Sequence, residues 1–174
     1  MELTQALTGR RSIRAFKPDP VPDEAIARIV EAGLWAPSGM NRQSSIVIAV
    51  TEPKVRERLR AENARIGGWE EGFDPFYGAP VVLVVLARAD VPTHVYDGSL
   101  TMGNMLMAAH EEGLGACWIH RAKEEFEQPA WQEWLHGLGV EGDYEGVGHV
   151  ALGYADGDHP APKPVRDGRV FWVK

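Results

Sequence analysis

The sequence predicts a single layered domain in which helices alternate with strands, an α/β (α+β) architecture. Residues 80–87 (PVVLVVLA) are apolar on both faces, the pattern of a strand buried at the centre of a sheet. Residues 97–112 carry the clearest helical period and stop at Gly113. Shorter runs of both kinds alternate along the chain, with no repeat, low-complexity tract or linker between them. A length of 174 residues suits one domain with a sizeable core.

The elements follow in order. Leu3, Ala6 and Leu7 predict a short opening helix ending at Gly9, since glycine favours the position just past a helix. Pro18, Pro20 and Pro22 mark a stiff connector. Asp23 is the expected N-cap of a second helix with Ile26, Ile29, Val30 and Leu34 on one face. Residues 45–51 read as a buried strand and residues 53–62 as an amphipathic helix. Residues 66–78, rich in glycine and aromatics, read as a loop or lid. After the long helix, residues 115–119 read as a short strand, 123–135 as a helix, 148–154 as a strand and 169–173 as a last strand.

Composition narrows the function. The formal net charge is -7 and 44% of residues are hydrophobic, an ordinary globular balance that disfavours nucleic acid or anionic membrane as partner. No apolar run approaches the roughly 20 residues of a membrane span. The start of the chain lacks a basic, then apolar, leader, and the single Cys117 permits no intrachain disulfide. A cytoplasmic location is expected.

Four clusters stand out. Arg10, Arg11, Ser12 and Arg14 place three guanidinium groups within five residues of an acidic protein. Forked donors and a hydroxyl suit a phosphate, although a solvated basic turn has the same composition. Residues 36–43 (APSGMNRQ) offer closely spaced amide and hydroxyl groups, including Pro37, Ser38, Gly39 and Asn41, or simply form a turn. Residues 113–120 (GLGACWIH) end a strand in a polar residue, a common ligand position in α/β sheets, or simply form a core strand, with Cys117 read as an inert core thiol. Lys163 and Arg166 are a second phosphate contact or a solvated tail. There is no dinucleotide-binding glycine fingerprint, no P-loop and no nucleophile elbow, and the six histidines lack metal-ligand spacing.

Taken together and in order, these segments resemble the nitroreductase family of flavoenzymes. The matching pieces are RRSIR at 10–14, APSGMNRQ at 36–43, APVVLVV at 79–85, the run 97–119 and VALGYADGDHPAPKPVR at 150–166. The resemblance implies a mixed sheet with helices on both faces, in an intertwined homodimer that binds FMN non-covalently at its interface. It places Arg10, Arg11 and Ser12 at the phosphate and ribityl end, with Lys163 or Arg166 adding to the phosphate site. Arg14 falls beside the N1 and O2 edge of the ring, and Trp118, Ile119, His120 and Arg121 pass its N5 side. Pro37, Ser38, Gly39 and Asn41 come from the other subunit.

Two departures are visible. After GACWI many relatives continue with glycines where this chain has His120 and Arg121, and Val165 fills a position that is usually basic. The implied activity is hydride transfer from NAD(P)H to nitroaromatics, quinones or similar electron-poor small molecules by a ping-pong mechanism. FMN carries that chemistry, so no catalytic acid or base is required, and His120 is the one candidate for such a role. The alternatives are another redox reaction on the same fold, such as dehalogenation or dehydrogenation, and a flavin-sequestering protein with little turnover.

Overall fold

The computed structural model describes residues 2–174. Among them, four strands form one sheet in the order β1-β2-β4-β3, every ladder antiparallel. The strands are β1 (Ser45–Val50), β2 (Val81–Arg88), β3 (Gly115–Ile119) and β4 (Tyr144–Gly153). A parallel contact is added by the bridge between Ser12 and Ala116. The helices are α1 (Leu3–Gly9), α2 (Asp23–Leu34), α3 (Pro53–Gly67), α4 (His94–Glu111), α5 (Ala122–Phe126) and α6 (Pro129–Gly137). No helix is long and apolar enough to cross a membrane, and no group of histidine, cysteine and carboxylate side chains among the described residues could hold a metal ion.

The double-sided apolar run at β2 has the predicted consequence. Val82, Val84 and Leu86 enter one core with Phe76, Phe126 and Trp131, while Val81, Leu83 and Val85 enter the other with Ile29, Met102 and Met105. Alternate residues of a strand point to opposite faces, so one eight-residue strand anchors both layers. The helix α4 covers the second face. Gly98 lets it settle onto β4, because a side chain there would meet Val147 Cγ2 at 2.5 Å.

Five expectations need correction. The segment 45–51 is not buried: β1 is an edge strand with one side unpaired, and most of its residues are half-exposed. Asp23 opens α2 but does not cap it; Pro22 holds that position. The helix predicted at 53–62 continues to Gly67, with the Glu52 carboxylate accepting from the Lys54 and Val55 amides and Gly68 in the left-handed conformation closing it. The helix predicted at 123–135 is two helices, since Pro129 has no N–H to continue the first and sits instead in the opening turn of α6. The last strand at 169–173 does not form: it lies against no sheet edge, and Phe171 and Trp172 are 86% and 81% exposed.

One buried polar pair lies in the first core. His149 Nε2 of β4 is 2.8 Å from Glu125 Oε2 of α5, and neither side chain reaches solvent. The rings of Phe76 and Phe126 flank the imidazole at 5.4 and 6.5 Å between centroids.

Candidate functional site

The basic cluster is held by the edge of the sheet. Ser12 bridges to Ala116, the Ile13 amide donates to the Ala116 carbonyl at 3.1 Å, and the Ile13 side chain is buried. Gly115 makes this approach possible, as a Cβ there would lie 2.9 Å from Ile13. Residues 10–14 therefore run alongside β3 in the same direction. They deliver Arg10 and Arg11 to the start of the strand and Arg14 to its end. Five residues of strand span roughly 13 Å between first and last Cα.

At the start of β3 lies a cleft of about 290 Å³ lined by Arg10, Arg11, Leu114, Gly115, His110 and His159, among others. The two arginines differ in what they do there. Arg11 Nη1 donates to the Thr8 and Arg10 carbonyls at 2.7 Å each, closing the C-terminal end of α1. Arg10 Nη1 is buried with no hydrogen-bond partner. A buried guanidinium nitrogen without an acceptor is costly, and an anion in the cleft would supply one. Burial first, then the charges of His159, Arg10 and Arg11, push the His110 imidazole below its ordinary value.

At the end of β3 a second cleft, about 210 Å³, brings together Arg14, Trp118, Ile119, His120 and Arg121 with Asn63 and the aromatic segment after α3. Arg14 is exposed and has no ion-pair or hydrogen-bond partner among the described residues. Trp69 lies tilted against Phe73 and Phe73 meets Tyr77 edge to face, with centroids 4.9 and 6.1 Å apart, and the Asp74 carboxylate ties the turn by accepting from the Phe76 and Gly78 amides. The buried Asn63 donates through Nδ2 to the His120 carbonyl at 2.7 Å. His120 and Arg121 are both exposed at the cleft rim. Arg121 adopts φ +83°, the backbone region that favours glycine, and its guanidinium pairs with Glu124 at 2.8 Å. Trp118 Nε1 is buried without a partner, and Cys117 is sealed in, its thiol pushed up by burial against the opposing pull of Arg14 and Ser12.

The turn at 36–43 sits elsewhere. Pro37 and Ser38 line a separate cleft of about 210 Å³ with Gln43, Asp97 and Thr101. Its backbone is strained: Met40, Asn41 and Gln43 have φ of 53°, 53° and 48°. The buried Asp97 carboxylate holds this shape, accepting from the Gly39 amide at 3.0 Å, the Ser44 hydroxyl at 2.7 Å and the Thr93 hydroxyl at 3.1 Å. Burial works to raise the Asp97 carboxyl, but these three bonds together with His94 hold it below the usual aspartate value.

One chain thus assembles Arg10, Arg11, Ser12 and Arg14 with residues 118–121 along β3, and keeps Pro37, Ser38, Gly39 and Asn41 apart from them. Lys163 and Arg166 are exposed and line neither cleft of β3. Sequence reasoning passed over His110, His159, Asn63 and Asp97. For Asp97 a signal existed, a lone carboxylate at the start of an otherwise apolar helix. The two histidines are brought together from positions 49 residues apart by the fold alone.

An edge strand with an unpartnered guanidinium nitrogen at one end and an aromatic-walled cleft with a second free cation at the other has the shape and charge to suit an elongated anionic heterocycle. Residues 7–154 match the model of the nitroreductase family, and the chain belongs to that family. A nitroreductase from Bacteroides fragilis, solved with bound FMN, is 28% identical, superposes with a TM-score of 0.88 and is covered over 100% of both chains. An FMN reductase [NAD(P)H] of Bacillus subtilis is 33% identical over 65% of this chain and 46% of its own. An iodotyrosine deiodinase of Haliscomenobacter hydrossis is 28% identical over 66% of this chain and 65% of its own. The chain spans between 39% and 65% of the length of four curated relatives it matches.

Proposed function

We propose that this protein is an FMN-dependent oxidoreductase that takes reducing equivalents from NAD(P)H and passes them to nitroaromatics, quinones or similar electron-poor small molecules. The observation that carries the reading is the half-buried Arg10, whose Nη1 is sealed from solvent without an acceptor at one end of β3, with the free Arg14 at the other. The residues fit the cofactor: Arg10 would hold the phosphate, Ser12 the adjoining chain, and Arg14 the polar edge of the ring. FMN, when bound, supplies the hydride chemistry. The protein's own part is to bind, to orient and to set the charge around the ring, with the aromatic segment 69–77 forming one wall of the acceptor space.

The working unit is a homodimer. The inward face of α4 is buried through Met102, Met105 and Ala109, yet Tyr96, Leu100, Gly103 and Met107 form a second stripe at helical spacing on its outer face. Tyr96 and Leu100 are 71% and 48% exposed, and Trp35 and Met40 beside the strained turn are 80% and 88% exposed. Exposed apolar side chains of this size support a surface covered by a second copy of the chain. It would let the turn carrying Pro37, Ser38, Gly39 and Asn41 reach the partner's flavin.

The test is steady-state oxidation of NADH and NADPH by FMN-loaded protein, with and without a nitroaromatic or quinone. The reading requires acceptor-dependent oxidation; flavin binding without turnover on any acceptor would assign a sequestering role instead. Dehalogenation is the second reading, favoured by the deiodinase relative, and iodide release from an iodinated tyrosine under the same donors separates it.

A further inference from the structure

The cleft at the start of β3 has an excess of cation-forming groups over what one phosphate contact needs. Arg10 and Arg11 come from the segment after α1, His110 from the last turn of α4, and His159 from the segment after β4, and no carboxylate lines the cleft. The imidazoles of His110 and His159 face each other at 5.8 Å between centroids, tilted by 37°. His110 is half-buried against the end of α1, 3.4 Å from where a Cβ on Gly9 would stand.

From this juxtaposition we infer that His110 and His159 form a proton-linked half of the phosphate grip, taking up a proton from solvent when a phosphate dianion enters beside Arg10. The inference rests on the flavin reading and adds to it two residues and a pH dependence. Three facts support it. First, burial and then the charges of His159, Arg10 and Arg11 hold the His110 imidazole below its ordinary value, and every charged group bearing on it is positive or able to become so. An anion reverses that field, so protonation that is disfavoured in the empty cleft becomes favoured in the filled one. Second, the C-terminal turn of a helix stabilises a protonated histidine through the helix dipole, and His110 lies in the last turn of α4. Third, the expected basic contacts Lys163 and Arg166 are not in the cleft lining, whereas His159, a few residues earlier, is. Arg11 directs Nη1 to the Thr8 and Arg10 carbonyls, so only the rest of its guanidinium is open to the cleft beside Arg10 and the histidine pair.

A protonated imidazole that donates to phosphate is a charge-assisted hydrogen bond, and losing one weakens binding about tenfold. The linkage has a definite sign. The histidine contribution is full at acid pH and fades as pH rises through the imidazole range, while the phosphate's own second ionisation, near pH 6, works the other way. Subtracting a His110→Gln, His159→Gln variant from the wild type isolates the first effect.

The experiment is equilibrium titration of the apoprotein with FMN and with riboflavin, followed by flavin fluorescence from about pH 5.5 to about pH 8.5. Expected for FMN is a loss of about tenfold or more in the double variant near pH 6, shrinking towards zero near pH 8. Riboflavin, which has no phosphate, should bind wild type and variant alike at every pH. Calorimetry in buffers of different ionisation enthalpy should show proton uptake with FMN that the variant lacks. Parallel FMN profiles for wild type and variant would overturn the inference, as would an equal loss of riboflavin affinity, which would make the histidines packing residues. Arg10→Ala separates the two levels. If it abolishes the preference for FMN over riboflavin while the histidine variant keeps the wild-type preference undiminished near pH 6, the phosphate site stands and the histidine role falls. If wild type binds both flavins equally, the phosphate placement at Arg10 falls, and if it binds neither, the flavin reading itself fails.

Discussion

Replacing Asp97 by alanine removes the one carboxylate that holds the strained turn, and its cost follows from the three bonds it makes. The Ser44 hydroxyl, on a residue only 1% exposed, has no access to water once its acceptor at 2.7 Å is gone. A hydrogen bond to a charged partner contributes about 1.5–3 kcal/mol, and a donor left buried costs a similar amount. The Gly39 amide and Thr93 hydroxyl, at 3.0 and 3.1 Å, are only partly buried and can turn to solvent. At about 0.5–1 kcal/mol each they bring the total to roughly 2.5–5 kcal/mol. For a chain of this size that lowers Tm by roughly 5–20 °C. Urea denaturation followed by tryptophan fluorescence at neutral pH measures it. The pH dependence has a fixed sign: the folded-state value of Asp97 is depressed, so its stabilisation is present above the unfolded value near 3.9 and is lost as pH falls through the folded one. The gap between wild type and Asp97→Ala should therefore narrow in acid. A loss under about 1 kcal/mol at neutral pH, or a gap that widens in acid, would refute the account of the turn. A double-mutant cycle with Ser44→Ala should return a coupling of at least about 1 kcal/mol.

Three further outcomes are expected. Glu125→Leu and His149→Phe should each cost about 3–5 kcal/mol in the same denaturation assay, because each strands a buried polar partner, while the double substitution should recover most of the loss; additive costs would show that the pair is not a unit. Gly98→Val should cost at least about 1–3 kcal/mol, since the stiff Val147 side chain 2.5 Å from the new Cβ cannot give way without moving α4 from β4, and wild-type stability would remove that packing argument. Arg14→Ala should leave FMN bound but lower its two-electron reduction potential by on the order of 30 mV, equivalent to about 1.4 kcal/mol, and an unchanged potential in dye-coupled titration would place the cation elsewhere.

The parts of the fold legible in the sequence were those set by local rules. The uninterrupted apolar run of β2 could only be a strand covered on both faces, and Gly113, at φ +74°, ends α4 for reasons internal to the backbone, whereas Gly9 is the last residue of α1 itself and Arg10 holds the position after it. What local pattern misjudged was decided by neighbours. Whether residues 45–50 are central or at an edge depends on which strands flank them, and their composition is the same in either place. Pro129 did carry a signal, since it cannot continue a helix, but the apolar period running through it masked the break. The arginines and the strand end at 118–121 were legible as candidates because guanidinium groups in an acidic chain need a reason. Their arrangement along one strand edge was not, because it depends on the Ser12–Ala116 bridge between segments 104 residues apart. His110 and His159 are ordinary histidines in sequence and become a pair only in space.

The central claim, a flavin held between two copies of this chain, is tested most directly by sedimentation velocity with simultaneous detection of protein and of flavin absorbance. The account predicts one boundary at twice the 19.2 kDa chain mass, carrying about one FMN per chain in both detection channels. A stable species at the mass of a single chain that carries stoichiometric flavin would contradict it.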